Sequence, residues 1–477
     1  MSGMDSACAT DGRSFPNQRS FRLALNWFLN GSIFVGLSLH GNTKWLPCQL
    51  ASMALLWIFS SQHNLTDAFD DARRWSTKIF GGVALTTYQG MMLALVTWTP
   101  RWMPLLWNRL HQLMEEVGGP HWRIGKWLPL AVDGSRGDLA RTKALEKRFC
   151  AKNYGRGKTA KYRKKKSKGM RRKRNKKAPP QPQAPQMWIT LIWHMKLRMP
   201  WVWKLGPSDS SERQHLQEML QEHSFPENTL FCADAGFVGY EFWQAIAASG
   251  QHLLMRVGGN VRLLKKLGHI RQREDLVFCW PQKAMQKKQP PLVLRLLTFR
   301  SGDQVIHLVT TVLSEQELPN DIARELYRQR WGIELQFRSL KQTFERSKLR
   351  CHSPDRALVE MDWSLLGLCV IQLWALREQL QAGQLPEQLS VAEAIRAVRQ
   401  CLDQLSDRPD AGEGFRSRLR RATIDGYQRK GSKAARYCPN SGSQPSCKSP
   451  IITVATKEHN RHLDKHFPQL AGKSFTA

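Results

Sequence analysis

Two short apolar runs that each break on an aspartate close to a glycine constrain this chain most: "WLPLAVDGS" at 127–135 and "TLFCADAGF" at 229–237. Runs of this length bounded by turn formers read as buried strands, and "MWITLIWHMK" (187–196) and "HLLMRV" (252–257) share the pattern. "VGYEFWQAIAAS", between the last two, reads as a helix. Strands interleaved with helices predict an α/β core. Asp133 and Asp234 would then stand at the C-terminal tips of two strands, where open α/β sheets take up ligands. Either aspartate alone reads first as a turn or capping residue. The repeat of the setting points to a site.

Helices flank this core. Residues 1–122 read as a helical N-terminal domain, with Asn64 or Thr66 capping the segment "NLTDAFDDARRW". Two of its helices, joined through "STKIFGGVALT", fit a DNA-binding helix-turn-helix and fit an ordinary bundle at least as well. Residues 123–257 form the first part of the core. In 258–320, "PLVLRLLTFRS" and "QVIHLVTTVL" separated by Gly-Asp predict a hairpin and a β-rich insertion. Helices resume over 321–405, and 406–477 reads as a flexible basic tail.

The first of the resumed helices contains "YRQRWGIELQFRSLKQ" (327–342). At about 100° per residue, Tyr327, Arg330, Glu334 and Lys341 share an arc of roughly 60°. Leu326, Ile333, Phe337, Leu340 and Phe344 line an adjacent stripe. An exposed salt-bridge ladder would explain the charges, but not the tyrosine or the position beside a buried stripe. Together with Asp133 and Asp234, Glu334 makes three carboxylates in basic surroundings. Oxygen donors of this kind suit hard divalent cations such as Mg²⁺. Two such ions about 4 Å apart serve in-line phosphoryl displacement, and Arg330 and Lys341 would hold phosphates.

Charge points the same way. A formal net charge of +33 is the footprint of a polyanion partner, with nucleic acid first and an anionic membrane surface next. It is concentrated in "KYRKKKSKGMRRKRNKK" (161–177), which cannot build a core. Within a disordered arm spanning 150–186, Lys164, Lys165, Lys166, Arg171 and Arg172 are expected to bind nucleic acid through phosphate charge. The ten cysteines form no Cys-x-x-Cys pair and suit reduced thiols of a cytoplasmic, nucleoid-associated protein. No secretory signal is apparent. The apolar stretch "LPCQLASMALLWIFS" falls short of the roughly 18 residues a membrane span needs, so no membrane partner is expected.

With Tyr327, Arg330, Glu334 and Lys341 at these spacings, and with "AVDGS" and "ADAGF" for the other two acids, the sequence resembles the insertion-sequence-four family of DDE cut-and-paste transposases. The resemblance implies an RNase H-like catalytic core with a β-rich insertion, covering residues 125 to about 375. It implies two Mg²⁺ or Mn²⁺ ions held by Asp133, Asp234 and Glu334. It also implies strand cleavage and transfer at transposon ends, with transposon-end and target double-stranded DNA as substrates and a homodimer on DNA. Tyr327, Arg330 and Lys341 would be end-phosphate contacts. Arg256 reads as a DNA contact or a surface arginine, and Trp280 as a base-stacking or a core residue. A nuclease that cuts without joining, or a catalytically inactive DNA-binding descendant, are the alternatives.

Overall fold

The strand β1 (Leu128–Asp138) is buried through its first five residues, which is why the sequence there is a continuous apolar run rather than an alternation. The computed structural model describes residues 16–82, 85–150, 184–301, 304–407, 414–425, 448–470 and 472–475. After β1 come β2 (Gln186–His194), β3 (Met199–Gly206), β4 (Thr229–Ala233) and β5 (His252–Val257). β2 runs antiparallel to β1 and β3, whereas β4 lies parallel to β1 and β5 parallel to β4. The helix Glu212–Glu222 follows β3, and the helix Tyr240–Ala248 links β4 to β5.

The expected insertion extends the same sheet instead of standing apart. It contributes β6 (Arg262–Lys265), β7 (Arg271–Gln272), β8 (Leu276–Cys279), β9 (Leu292–Ser301) and β10 (Gln304–Thr310). β9 and β10 form the hairpin read from the sequence, and β10 then pairs antiparallel with β5. That pairing satisfies backbone groups that β5 would otherwise present as an open edge. With β11 (Ile451–Val454) the order becomes β11-β6-β8-β9-β10-β5-β4-β1-β2-β3, a ten-stranded mixed sheet in an α/β fold. β7 pairs separately with β12 (Ser474–Phe475).

The stretch 406–477, read as a flexible tail, is thus structured over part of its length. β11 joins β6 in parallel, the helix Lys457–His466 follows it, and Leu463 is buried against the insertion. The sequence signal was weak because four exposed strand residues and one buried leucine make no periodic pattern.

The N-terminal helices Pro16–Phe28, Pro47–Phe59, Leu65–Phe80 and Tyr88–Gly118 share one hydrophobic core with the rest of the protein, as a bundle does. Asn64 caps the third by accepting from the Thr66 amide at 3.1 Å, and Gly81, at φ +82°, ends it. Pro47–Phe59 and Tyr88–Gly118 pack on the helix Pro354–Gln381, and Leu65–Phe80 packs on Pro47–Phe59. Trp363 Nε1 donates to Thr99 Oγ1 at 2.9 Å, and Trp374 Nε1 to the Ala24 carbonyl at 3.1 Å. Three arginines close the C-terminal end of Pro47–Phe59: Arg346, Arg399 and Arg350 donate to the carbonyls of Ile58, Phe59 and Gln62. Among the described residues Pro354–Gln381 is long and apolar enough to cross a membrane, but 89% of its most apolar window is buried inside the fold.

Candidate active site

The register of β1 on β4 places the two aspartates. The parallel pairs run from Leu128↔Thr229 to Ala131↔Cys232, and two further residues along each chain reach Asp133 and Asp234 at the same level. β4 stops at Ala233, so Asp234 stands just past a strand tip as expected. Asp133 does not. β1 continues to Asp138 because β2 goes on pairing with it, Asp133 opposite Leu191, so this acid lies where β1 loses β4 as a neighbour. Each carboxylate is steadied locally: Asp133 Oδ1 accepts from the Gly134 amide at 2.9 Å, and Asp234 Oδ1 from the Gly236 amide at 2.7 Å.

Glu334 arrives from a helix that is less regular than its spacing predicts. Asn320–Gln329 and Gly332–Arg338 are separate α-helical segments meeting at Arg330 and Trp331, and Ser339–Thr343 forms a π-helical turn. Such turns are frequent at functional sites. Here the turn carries Lys341, whose Nζ donates to Ser135 Oγ on β1 at 2.6 Å. The Glu334 carboxylate faces Arg330 at 3.9 Å, longer than a good hydrogen bond.

The electrostatics tie these groups together. Burial pushes the Asp133 carboxyl up to about 6; the Gly134 amide and Arg330 oppose this, while Asp234 and Glu334 add to it. Glu334 is likewise raised by burial and by Asp234, against Arg330. Burial lowers Lys341 and raises Tyr327, and Arg256 is among the charges acting on that tyrosine. Tyr327 therefore lies between Asp234 and Arg256, and Lys341 reaches Ser135, two residues past Asp133.

Arg330 is the most enclosed of the cations near the acids. It is only 8% exposed, stacks its guanidinium 5.6 Å from the Tyr327 ring centroid, and leaves Nε without a hydrogen-bond partner. Enclosed in this way, it acts as a positive charge on Asp133 and Glu334. Trp280 is 3% exposed, donates from Nε1 to the Gln289 carbonyl and packs edge-on against His462, as a core residue. Lys164, Lys165, Lys166, Arg171 and Arg172 lie outside the described residues.

One acid was missed by sequence reasoning. Glu212, first residue of its helix, lies against β1 so closely that a Cβ on Gly134 would meet its Cγ at 2.5 Å and its Cδ at 2.7 Å. Burial, then Asp133, then Asp234 push its carboxyl up to about 7, against Arg136 and Arg213. No apolar run precedes Glu212, so spacing carried no sign of it.

Among the described residues no three His, Cys, Asp or Glu side chains converge into a ready metal cage. The donor set is nevertheless all carboxylate oxygen, the chemistry that Mg²⁺ and Mn²⁺ take. Burial and the neighbouring carboxylates raise the proton affinity of Asp133 and Glu334, the field in which a divalent cation gains most.

Residues 158–370 match the Transposase DDE domain family, a span that includes Asp234 and Glu334 and begins after Asp133. The chain is 30% identical over 209 residues to the transposase InsG for insertion sequence element IS4 of Escherichia coli (strain K12), covering 41% of this chain and 46% of that protein. The chain thus spans about half the length of this curated relative. A cryo-EM structure of the piggyBac transposase synaptic complex with hairpin DNA aligns over 90% of this chain and 92% of that one, at 10% identity and a TM-score of 0.39. That likeness is too loose to carry an argument.

Proposed function

We propose that the chain is a DDE transposase of the insertion-sequence-four family and that it cleaves and rejoins DNA at the terminal inverted repeats of an insertion sequence. The match of residues 158–370 to the Transposase DDE domain family and the 30% identity to the IS4 transposase support this reading. Asp133, Asp234 and Glu334 are the catalytic carboxylates in this reading and hold Mg²⁺ or Mn²⁺. The observation that carries it is the β1–β4 register, which brings Asp133 level with Asp234, with Glu334 close enough that its charge acts on Asp133 and that of Asp234 acts on it. The order β3-β2-β1-β4-β5, with β2 alone reversed, supports an RNase H-like core.

When bound, divalent cations activate the attacking oxygen and steady the leaving oxygen of an in-line phosphoryl displacement. The chain's own residues do the rest. Arg330 offsets carboxylate repulsion, and Gly134 and Gly236 amides fix the two aspartates in orientation. Lys341, Tyr327 and Arg256 take the DNA phosphates and set the scissile bond over the acids. The basic segment 161–177 adds sequence-independent phosphate contacts. Two double-stranded ends cut and joined to a target call for two copies of the chain on DNA.

The experiment is cleavage of labelled DNA bearing the element's own terminal repeats, in Mg²⁺ or EDTA, by the parent protein and Glu334→Gln. Metal-dependent nicking at the repeat boundary, lost in the variant, is the expected result. Binding without nicking by either protein would make the chain an inactive DNA-binding descendant, and nicking without joining a nuclease.

A further inference from the structure

We propose that Arg324 is a further phosphate contact, extending the DNA track from the acids to the β9–β10 hairpin; the inference rests on the transposase reading above. The sheet sets the track. The registers of Ala131 on Cys232 and of Ala233 on Met255, followed to the strand ends, put Asp133, Asp234 and Arg256 on one row across β1, β4 and β5. Leu308 of β10 continues the row opposite Arg256, and Leu297 of β9 stands opposite Leu308. Residues paired in this way share one face of the sheet. β10 runs antiparallel to both β5 and β9, so β9 points the same way as the strands that carry the acids. Phe299, two residues beyond Leu297, therefore shares the face of Arg256 and lies further toward the end of the sheet at which the acids stand.

Arg324 covers that phenylalanine. It belongs to the helix Asn320–Gln329, one turn before Tyr327, and its guanidinium lies over the Phe299 ring, 5.4 Å from the centroid. A ring against the guanidinium plane fixes its position and leaves its N–H edge open to an anion. The side chain is exposed, and no carboxylate pairs with it among the described residues. Arg328 of the same helix shows what a structural role looks like: its Nε and Nη2 both donate to Glu325, each at 2.8 Å. Three strand spacings separate β9 from β4, roughly 14 Å. At the rise of one DNA strand this is about four nucleotides, so Arg324 meets a phosphate about four nucleotides from the bond over the acids.

The test is binding of duplex DNA bearing the element's terminal repeats by the whole protein, titrated at several salt concentrations, for the parent, Arg324→Ala, Arg324→Lys and Arg328→Ala. Arg324→Ala should reduce the slope of log affinity against log salt by about 0.9, the value of one phosphate contact, while Arg324→Lys and Arg328→Ala keep it. A neutral methylphosphonate, moved one nucleotide at a time along the strand, then locates the contact. About four nucleotides from the cleaved bond it should weaken binding by the parent and leave Arg324→Ala unaffected. An unchanged slope in Arg324→Ala, or a variant that loses as much as the parent at every methylphosphonate position, would overturn the contact while leaving the transposase reading in place. A parent protein that does not bind the repeats would overturn that reading, and the contact with it.

Discussion

Lys341 Nζ donates to Ser135 Oγ at 2.6 Å, joining the turn that follows the Glu334 helix to the strand that carries Asp133. The bond holds a half-buried ammonium two residues past Asp133 on β1, where one hydroxyl positions it and Asp138 is the carboxylate that acts on it. Lys341→Ala should weaken binding to end DNA and reduce the slope of log affinity against log salt by about 0.9, the value of one phosphate contact. Ser135→Ala should keep the slope, because the charge remains. Binding titrations at several salt concentrations decide; an unchanged slope in Lys341→Ala would remove the phosphate role.

Arg330 calls for the opposite result. As a buried counter-charge to Asp133 and Glu334, it should be needed for cleavage and contribute nothing to the salt slope. Arg330→Gln is expected to lose nicking and to lower the melting temperature, because an enclosed counter-charge to Asp133 and Glu334 is removed. A slope reduced by about one, with stability kept, would return Arg330 to the DNA surface.

The raised acids make a pH prediction for protein in EDTA. Asp133, pushed up to about 6 from an ordinary 3.8, and Glu212, up to about 7 from 4.5, hold protons in the folded state that the unfolded chain has released. Folding stability contributed by these groups is therefore present at low pH and falls as pH rises, from about 4 to 6 for Asp133 and about 4.5 to 7 for Glu212. Asp133→Asn should raise the melting temperature at pH 7.5 and leave it nearly unchanged at pH 4. Added Mn²⁺ should stabilise the parent more at pH 7.5 than at pH 5, since protons compete with the ion. Melting curves of both proteins across that range provide the check.

Glu360 is fully buried and accepts from Arg350 Nε at 2.9 Å and from the Arg350 and Cys351 amides at 3.0 and 2.9 Å. Arg350 in turn reaches the Gln62 carbonyl at the end of an N-terminal helix. Glu360→Gln leaves a half-buried guanidinium without its anion and should cost about 2 kcal/mol. Urea unfolding measures it, and a change under 1 kcal/mol would mean that the pair is dispensable to the joint between the N-terminal helices and the core.

Much of the site was legible because its signals are local. An apolar run that stops at Asp-Gly, a hairpin split by Gly-Asp, and a stripe of Leu326, Ile333 and Phe337 beside Glu334 are properties of neighbours along the chain. They determined the α/β class, the hairpin and the candidate acids Asp133, Asp234 and Glu334. The tertiary structure decided what depends on neighbours across space. Pairing with β2 carries β1 past Asp133, and contacts across the fold enclose Arg330. The fit of Glu212 over Gly134 brings a fourth carboxylate to the first, and the parallel edge offered by β6 gives Ile451–Val454 a place in the sheet. Registers and burial arise from contacts between segments remote in the chain, and spacing within any one segment does not encode them.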